Sequence, residues 1–179
     1  KKEEPKKEFI ENKNLQLKKL NQQLQQLEEV VGEKEKDVKV LESEMAKEND
    51  SKEQEENIKD LRTILENLVQ LSFDQERVLK GFKKTSNSDP TYISLSQQQI
   101  KIKSDSKVIV DSLKALSNRV FQIKSFVTRE LNNMNGLLDE SAEAIKTRRT
   151  DYIITKQQFA MSTMNNLALL LDDVLKQMQ

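Results

Sequence analysis

Four pairs of adjacent carboxylates, Glu28-Glu29, Glu55-Glu56, Asp139-Glu140 and Asp172-Asp173, are the groups in this sequence most able to do chemistry. Such a pair could hold a divalent cation or divide general acid and base work. Neighbouring carboxylates in helix-forming sequence more often form a solvated face, and charge patterning favours that reading here. Nothing reinforces the chemical one. The chain has no His and no Cys, so the commonest general base, the commonest metal ligand and the thiolate nucleophile are all missing. The di-metal sites of helical bundles use Glu-x-x-His, which cannot occur without His. No GxSxG, P-loop or GxGxxG is present. The expectation is a chain that is not an enzyme, with no catalytic residue, no cofactor, no metal and no small-molecule substrate.

Three other groups invite a functional reading. Lys146, Arg148 and Arg149 could grip phosphate or anionic lipid. Cations also suit a helix C-terminus, where they compensate the dipole, and that is the preferred account. Met161, Met164 and Met178 could line an adaptable groove, but their helical spacing favours ordinary core. Asn132, Asn133, Asn135, Asn165 and Asn166 either bond between helices and fix their register or lie at the surface.

The elements that carry these residues are helices. Charged residues make up 34% of the 179, aromatics 4%, and there are only 3 Gly and 2 Pro, too few turn formers for an all-β chain. Lys and Arg number 30 and Asp and Glu number 30, without the cationic surplus that binding phosphate backbones needs, so no nucleic-acid partner is expected. The balance also argues against a membrane-surface helix, which needs a basic amphipathic face. No apolar run is long enough to cross a bilayer.

The clearest pattern lies in residues 6–49. Ile10, Leu17, Leu24, Val31, Val38 and Met45 recur every seven residues, and Leu20, Leu27 and Leu41 fill the second seam position, with Lys13 and Lys34 in its other two slots. This spacing predicts a coiled-coil arm over 1–49, a helix of roughly 65 Å, with these nine apolar residues as its interaction seam. Gly32 is a weak point in it, not a break.

Asn49, Asp50 and Ser51 are cap and turn formers, so the chain either reverses there or continues as one helix with a polar stretch. Ser72 with Gln75 forms a capping-box pattern that predicts a restart or kink before Phe73. Residues 83–91 form a loop, closed by Asp89 as N-cap and Pro90 at the first helical position. Leu95, Ile102, Ile109 and Leu116 then keep sevenfold spacing, with Tyr92, Gln99, Ser106 and Leu113 in the complementary register. Ser117-Asn118 starts a further helix carrying Val120, Ile123, Val127, Leu131, Met134, Leu138, Ala142 and Ile145. Residues 146–151 reverse tightly, with Thr150 or Asp151 capping a last helix that carries Ile154, Gln157, Met161, Met164, Ala168, Leu171, Leu175 and Met178. Short reversals make antiparallel neighbours. The fold class is therefore all-α: a long coiled-coil arm, then an elongated antiparallel helical bundle over 50–179.

The strings LSFDQE (Leu71–Glu76), DPTY (Asp89–Tyr92), DSLKALSNRV (Asp111–Val120), FVTRE (Phe126–Glu130) and MSTMNNLALLLDDVLKQMQ (Met161–Gln179) resemble, in this order, a family of large Gram-negative envelope proteins catalogued as a domain of unknown function. The resemblance covers residues 55–179, and Phe121 departs from it where the family carries a proline. It implies hydrophobic membrane segments outside this sequence and a helical, coiled-coil body on the periplasmic side of the cell envelope. It supplies no catalytic residue. The charged start without Met and the missing stop signal after Leu169 also read as a piece of a longer protein. Two functions fit: a structural or scaffolding region that binds a protein partner or itself through the coiled coil, or a helical docking or regulatory domain of a larger enzyme or transport machine.

Overall fold

The computed structural model describes residues 4–179, which form four helices and no strand: α1 (Glu4–Phe82), α2 (Thr91–Ser117), α3 (Phe121–Lys146) and α4 (Thr150–Met178). The chain divides into two compact units that meet between Lys52 and Glu53. The first is the leading part of α1. The second contains the rest of α1 with α2, α3 and α4.

α1 runs unbroken through Asn49, Asp50 and Ser51, so the chain does not reverse there. No Gly or Pro lies between Gly32 and Gly81, and a cap former in mid-helix costs only fractions of a kcal/mol. The Glu48–Lys52 ion pair at 2.7 Å, one helical turn apart, adds local support. The restart at Ser72 does not occur either. Ser72 and Gln75 are both buried and use their side chains across the bundle instead of capping.

The second unit is a four-helix bundle in which sequential helices alternate direction. Gln75 of α1 meets Gln99 of α2, and Asp60 pairs with Arg119 at 2.6 Å, so these helices are antiparallel. Lys103 with Asp139 sets α2 against α3, Asn133 with Thr163 sets α3 against α4, and Ser72 with Asn165 closes α4 back onto α1. Each helix contributes one stripe to a common core. On α1 it runs Leu61, Ile64, Leu68, Leu71, Gln75, Val78, Phe82, a strict alternation of three and four. α2 buries Tyr92, Gln99, Ile102, Ser106, Ile109, Leu113 and Leu116, matching both expected registers except that Leu95 is only partly buried. On α3 the expected Ala142 is only partly buried, and Ser141 and Ala144 take its place.

On α4 the stripe is displaced by one residue at alternate turns. Ile153, Ala160, Leu167 and Val174 are buried, while Ile154, Met161 and Ala168 lie at the edge. Apolar residues stand in adjacent pairs along this helix, so two registers fit the sequence equally and packing selects one.

The connections obey recognisable local chemistry. Asp89 Oδ1 accepts from the Thr91 N–H at 2.8 Å and from the Thr91 hydroxyl at 2.7 Å, while Pro90 already has helical angles. This is the anticipated Asp cap with Pro in the first turn. Ser117 and Asn118 end α2 and do not begin α3. Asn118 is the C-cap, buried Val120 is extended, and Phe121 opens α3 at 83% exposure. That first position is where a helix accepts proline most readily. α3 closes with Arg148 at φ 52°, the Arg149 N–H donating to Ala144 O and the Arg148 N–H to Ile145 O, which is a Schellman motif. Neither Thr150 nor Asp151 caps α4: Arg149 holds that position without a side-chain bond. Thr150 instead donates to Asn87 Oδ1 at 2.5 Å, and Asp151 contributes its charge to the first turn.

Candidate functional site

The seam of the arm lies open. Ile10, Leu17, Leu20, Leu24, Leu27, Val31, Val38, Leu41 and Met45 are 51–63% exposed. Phe9, Leu15, Val30 and Val40 are exposed beside them. The two polar seam residues have local partners. Lys13 reaches Gln16 Oε1 at 3.4 Å and lies over the Phe9 ring, and Lys34 pairs with Asp37 at 3.2 Å. Long lysine stems can lie along an apolar stripe while their ammonium groups stay in water.

The bundle handles its polar core positions differently. Gln75 and Gln99, both fully buried, exchange two amide hydrogen bonds of 2.9 and 2.8 Å, and Gln157 Nε2 donates to Gln99 Oε1 at 2.8 Å. One glutamine layer thus ties α1, α2 and α4. Its last acceptor, Gln157 Oε1, has no protein partner, nor has the Ser141 hydroxyl on α3. A buried neutral amide with its partner in place has nowhere else to bond, so the layer sets the vertical register of these helices. The spacing places Gln99 and Gln157 on core faces, whereas Gln75, expected in a capping box, is a core residue. The signal was available: each occupies a slot in a three-four repeat.

A second cluster joins the α1–α2 loop to the α3–α4 turn. Asn87 Nδ2 donates to Arg148 O at 3.0 Å, and the Arg148 guanidinium donates back to Asn87 O. That guanidinium also lies 5.0 Å from the centre of the Tyr92 ring. Tyr92 is buried, stands edge-on to Phe82 at 5.4 Å, and donates its hydroxyl to Ile145 O at 2.9 Å. Burial pushes its pKa up, partly opposed by Arg148. Arg149 and Lys156 both lie over Tyr152, at 4.6 and 5.0 Å. Lys146 pairs with Glu143 in the last turn of α3. These cations are therefore engaged with rings, a carbonyl and a carboxylate, and of Lys146, Arg148 and Arg149 only Lys146 lies in the last turn of α3.

The carboxylate pairs split in the same way. Asp139 pairs with Lys103, and Asp172 with Lys176 at 2.6 Å. Glu140 binds Lys156 and accepts from the Tyr152 hydroxyl, and the Lys156 bond above all holds its carboxyl below the usual range. Glu28, Glu29, Glu55 and Glu56 are exposed. Among the described residues no three acidic side chains gather into a metal-holding group, and no helix is long and apolar enough to cross a membrane.

Met164 is fully buried and Met178 packs against the core, so they are core residues, with Met161 at its edge. Of the five asparagines, Asn133 and Asn165 bond between helices, to Thr163 and Ser72.

No family model, characterised protein or solved structure matches this chain. Any function is therefore to be read from its own residues. The largest unanswered feature among them is the open seam of the arm.

Proposed function

We propose that the protein acts without catalysis, as a scaffolding and protein-interaction region of the cell envelope that works by docking helices along the arm seam. The supporting observation is the set of nine apolar seam residues on one coiled-coil stripe, each more than half exposed. A contiguous apolar stripe of this length in water is unfavourable unless another surface covers it. Completing the burial of a half-exposed aliphatic side chain is worth about 1 kcal/mol, so the nine offer roughly 9 kcal/mol before any contribution from the facing helix. Association costs on the order of 4–15 kcal/mol. A partner that brings a matching stripe therefore tips the balance, and one that presents a flat polar surface does not.

The resemblance of residues 55–179 to large envelope proteins supports the envelope setting, with membrane attachment through segments outside this sequence. The test is crosslinking of the full-length protein in its native membrane, with the natural sequence and with Leu20→Ser/Leu24→Ser/Leu27→Ser in parallel. Crosslinked species that disappear with the seam substitutions support the proposal. An identical set in both would defeat it.

A further inference from the structure

Resting on that reading of the seam, we infer that the surface covering the arm is a second copy of the arm, running antiparallel to the first.

Three observations on the arm lead there. The first is charge. Residues 6–27 carry five Lys against two Glu, and residues 28–49 carry four Lys against eight acidic residues. One half of the helix is basic and the other acidic. Two copies side by side in the same direction oppose like halves, and two in opposite directions oppose unlike halves.

The second is the identity of the polar seam residues. In a parallel, in-register pair each seam position meets its own equivalent. Lys13 would face Lys13, Lys34 would face Lys34, and the flanking Asp37 would meet Glu42 on both sides. Antiparallel pairing opposes the first seam position of one helix to the second of the other. With Ile10 set opposite Leu41, the same register places Leu24 opposite Leu27 and Val31 opposite Leu20. Lys13 then meets Val38 beside Asp37, and Lys34 meets Leu17. The flanks become Asn14 with Glu42, Asn21 with Glu35 and Gln16 with Asp37, pairs that can bond without repulsion. Glu28 against its own copy is the one like-charge contact at the flanks.

The third is extent. The sevenfold series that ends at Met45 would continue at Lys52 and Lys59, both exposed, so the docking stretch is bounded to residues 10–45. That is five heptads, about 50 Å, more than the roughly three to four heptads over which a sustained repeat argues a coiled coil.

The chain has no Cys, so single cysteines introduced for spin labels are unique. The test combines sedimentation equilibrium of the 179-residue protein with inter-copy distances from labels at Glu11→Cys and Gln25→Cys, both outside the seam. Antiparallel pairing predicts a dimer with a separation of about 45 Å at residue 11 and about 20 Å or less at residue 25. Lys13→Leu/Lys34→Leu removes the like-charge penalty of the parallel arrangement. It should tighten the dimer at least tenfold and bring in a short distance at residue 11. Leu20→Ser/Leu24→Ser/Leu27→Ser should weaken the dimer at least tenfold.

Short distances at both labels in the natural sequence would overturn the inference, as would a dimer unchanged by both sets of substitutions. A monomer at all concentrations would also overturn it. Seam-dependent crosslinks to a different protein would then still uphold the broader function, and crosslinks indifferent to the seam would remove that as well.

Discussion

Residues 10–45 and 61–82 of the same helix follow the same three-four apolar spacing and draw on the same aliphatic side chains, yet the first stripe is open and the second is buried. Spacing specifies a stripe, not what covers it. Three later helices cover the second: α2, α3 and α4 follow within reach and their turns are short. The polar members of the two stripes fit this difference. The buried stripe carries Gln75, a neutral amide satisfied by Gln99. The open stripe carries Lys13 and Lys34, whose charge tolerates a wet, reversible contact and resists permanent burial.

If that contrast is right, equal truncations should have unequal effects. Leu131→Ala or Leu68→Ala, at fully buried sites, should each cost about 2–5 kcal/mol and lower the melting temperature of the bundle by about 10 °C or more. Leu24→Ala in the arm should leave that transition unmoved and alter only association. Thermal unfolding of dilute protein followed by near-ultraviolet tyrosine signals checks both, because Tyr92 and Tyr152 lie in the bundle. A large loss of bundle stability in Leu24→Ala would erase the distinction.

The glutamine layer gives the next largest effect. Gln99→Leu strands the amides of Gln75 and Gln157 in the core and should cost about 2–4 kcal/mol in chemical denaturation. Replacing all three glutamines by Leu removes the stranded groups and should restore most of that stability or exceed it. If the single and triple variants are equally unstable, the layer does more than pair its own members.

Part of this was readable from residue types alone. The all-α class followed from helix formers without breakers, and the stripes of α1 and α2 from their spacing. The Asp89-Pro90 start was legible because a cap and a fixed φ act within four residues. What the sequence left open or misplaced shares a cause. Asn49-Asp50-Ser51, where reversal and an unbroken helix were both open, and Ser72-Gln75 carry cap chemistry, but a cap forms only where the chain has a reason to leave the helix, and long-range packing decides that. The same packing chose Leu167 over Ala168 on α4. Arg148 in the left-handed region gave no signal, since Gly or Asn is the usual marker. The seam residues were legible as a stripe, but their exposure is a property of the fold.

Smaller effects sharpen the local picture. Asp89→Ala should lower the melting temperature of the bundle by a few °C. The Thr91 N–H, and after it the Thr91 hydroxyl, hold the Asp89 carboxyl below its ordinary pKa. A lowered pKa stabilises the folded chain while the group is ionised. The contribution is full at neutral pH and fades as pH falls through the folded value, and a melting-temperature profile against pH should lose that acid-side slope in Asp89→Asn. Smallest are Gly32→Ala and Gly136→Ala, where an added methyl meets nothing within 4 Å. Each should raise helix stability by about 0.5–1 kcal/mol, Gly32 in the arm and Gly136 in the bundle, read separately by circular dichroism and by denaturation.

The most direct test of an arm covered by its own kind is amide hydrogen exchange of the intact chain over a hundredfold range of concentration. Protection of residues 10–45 should climb with concentration, while protection of the bundle helices stays constant. Arm amides that exchange at one fixed rate throughout would contradict the account.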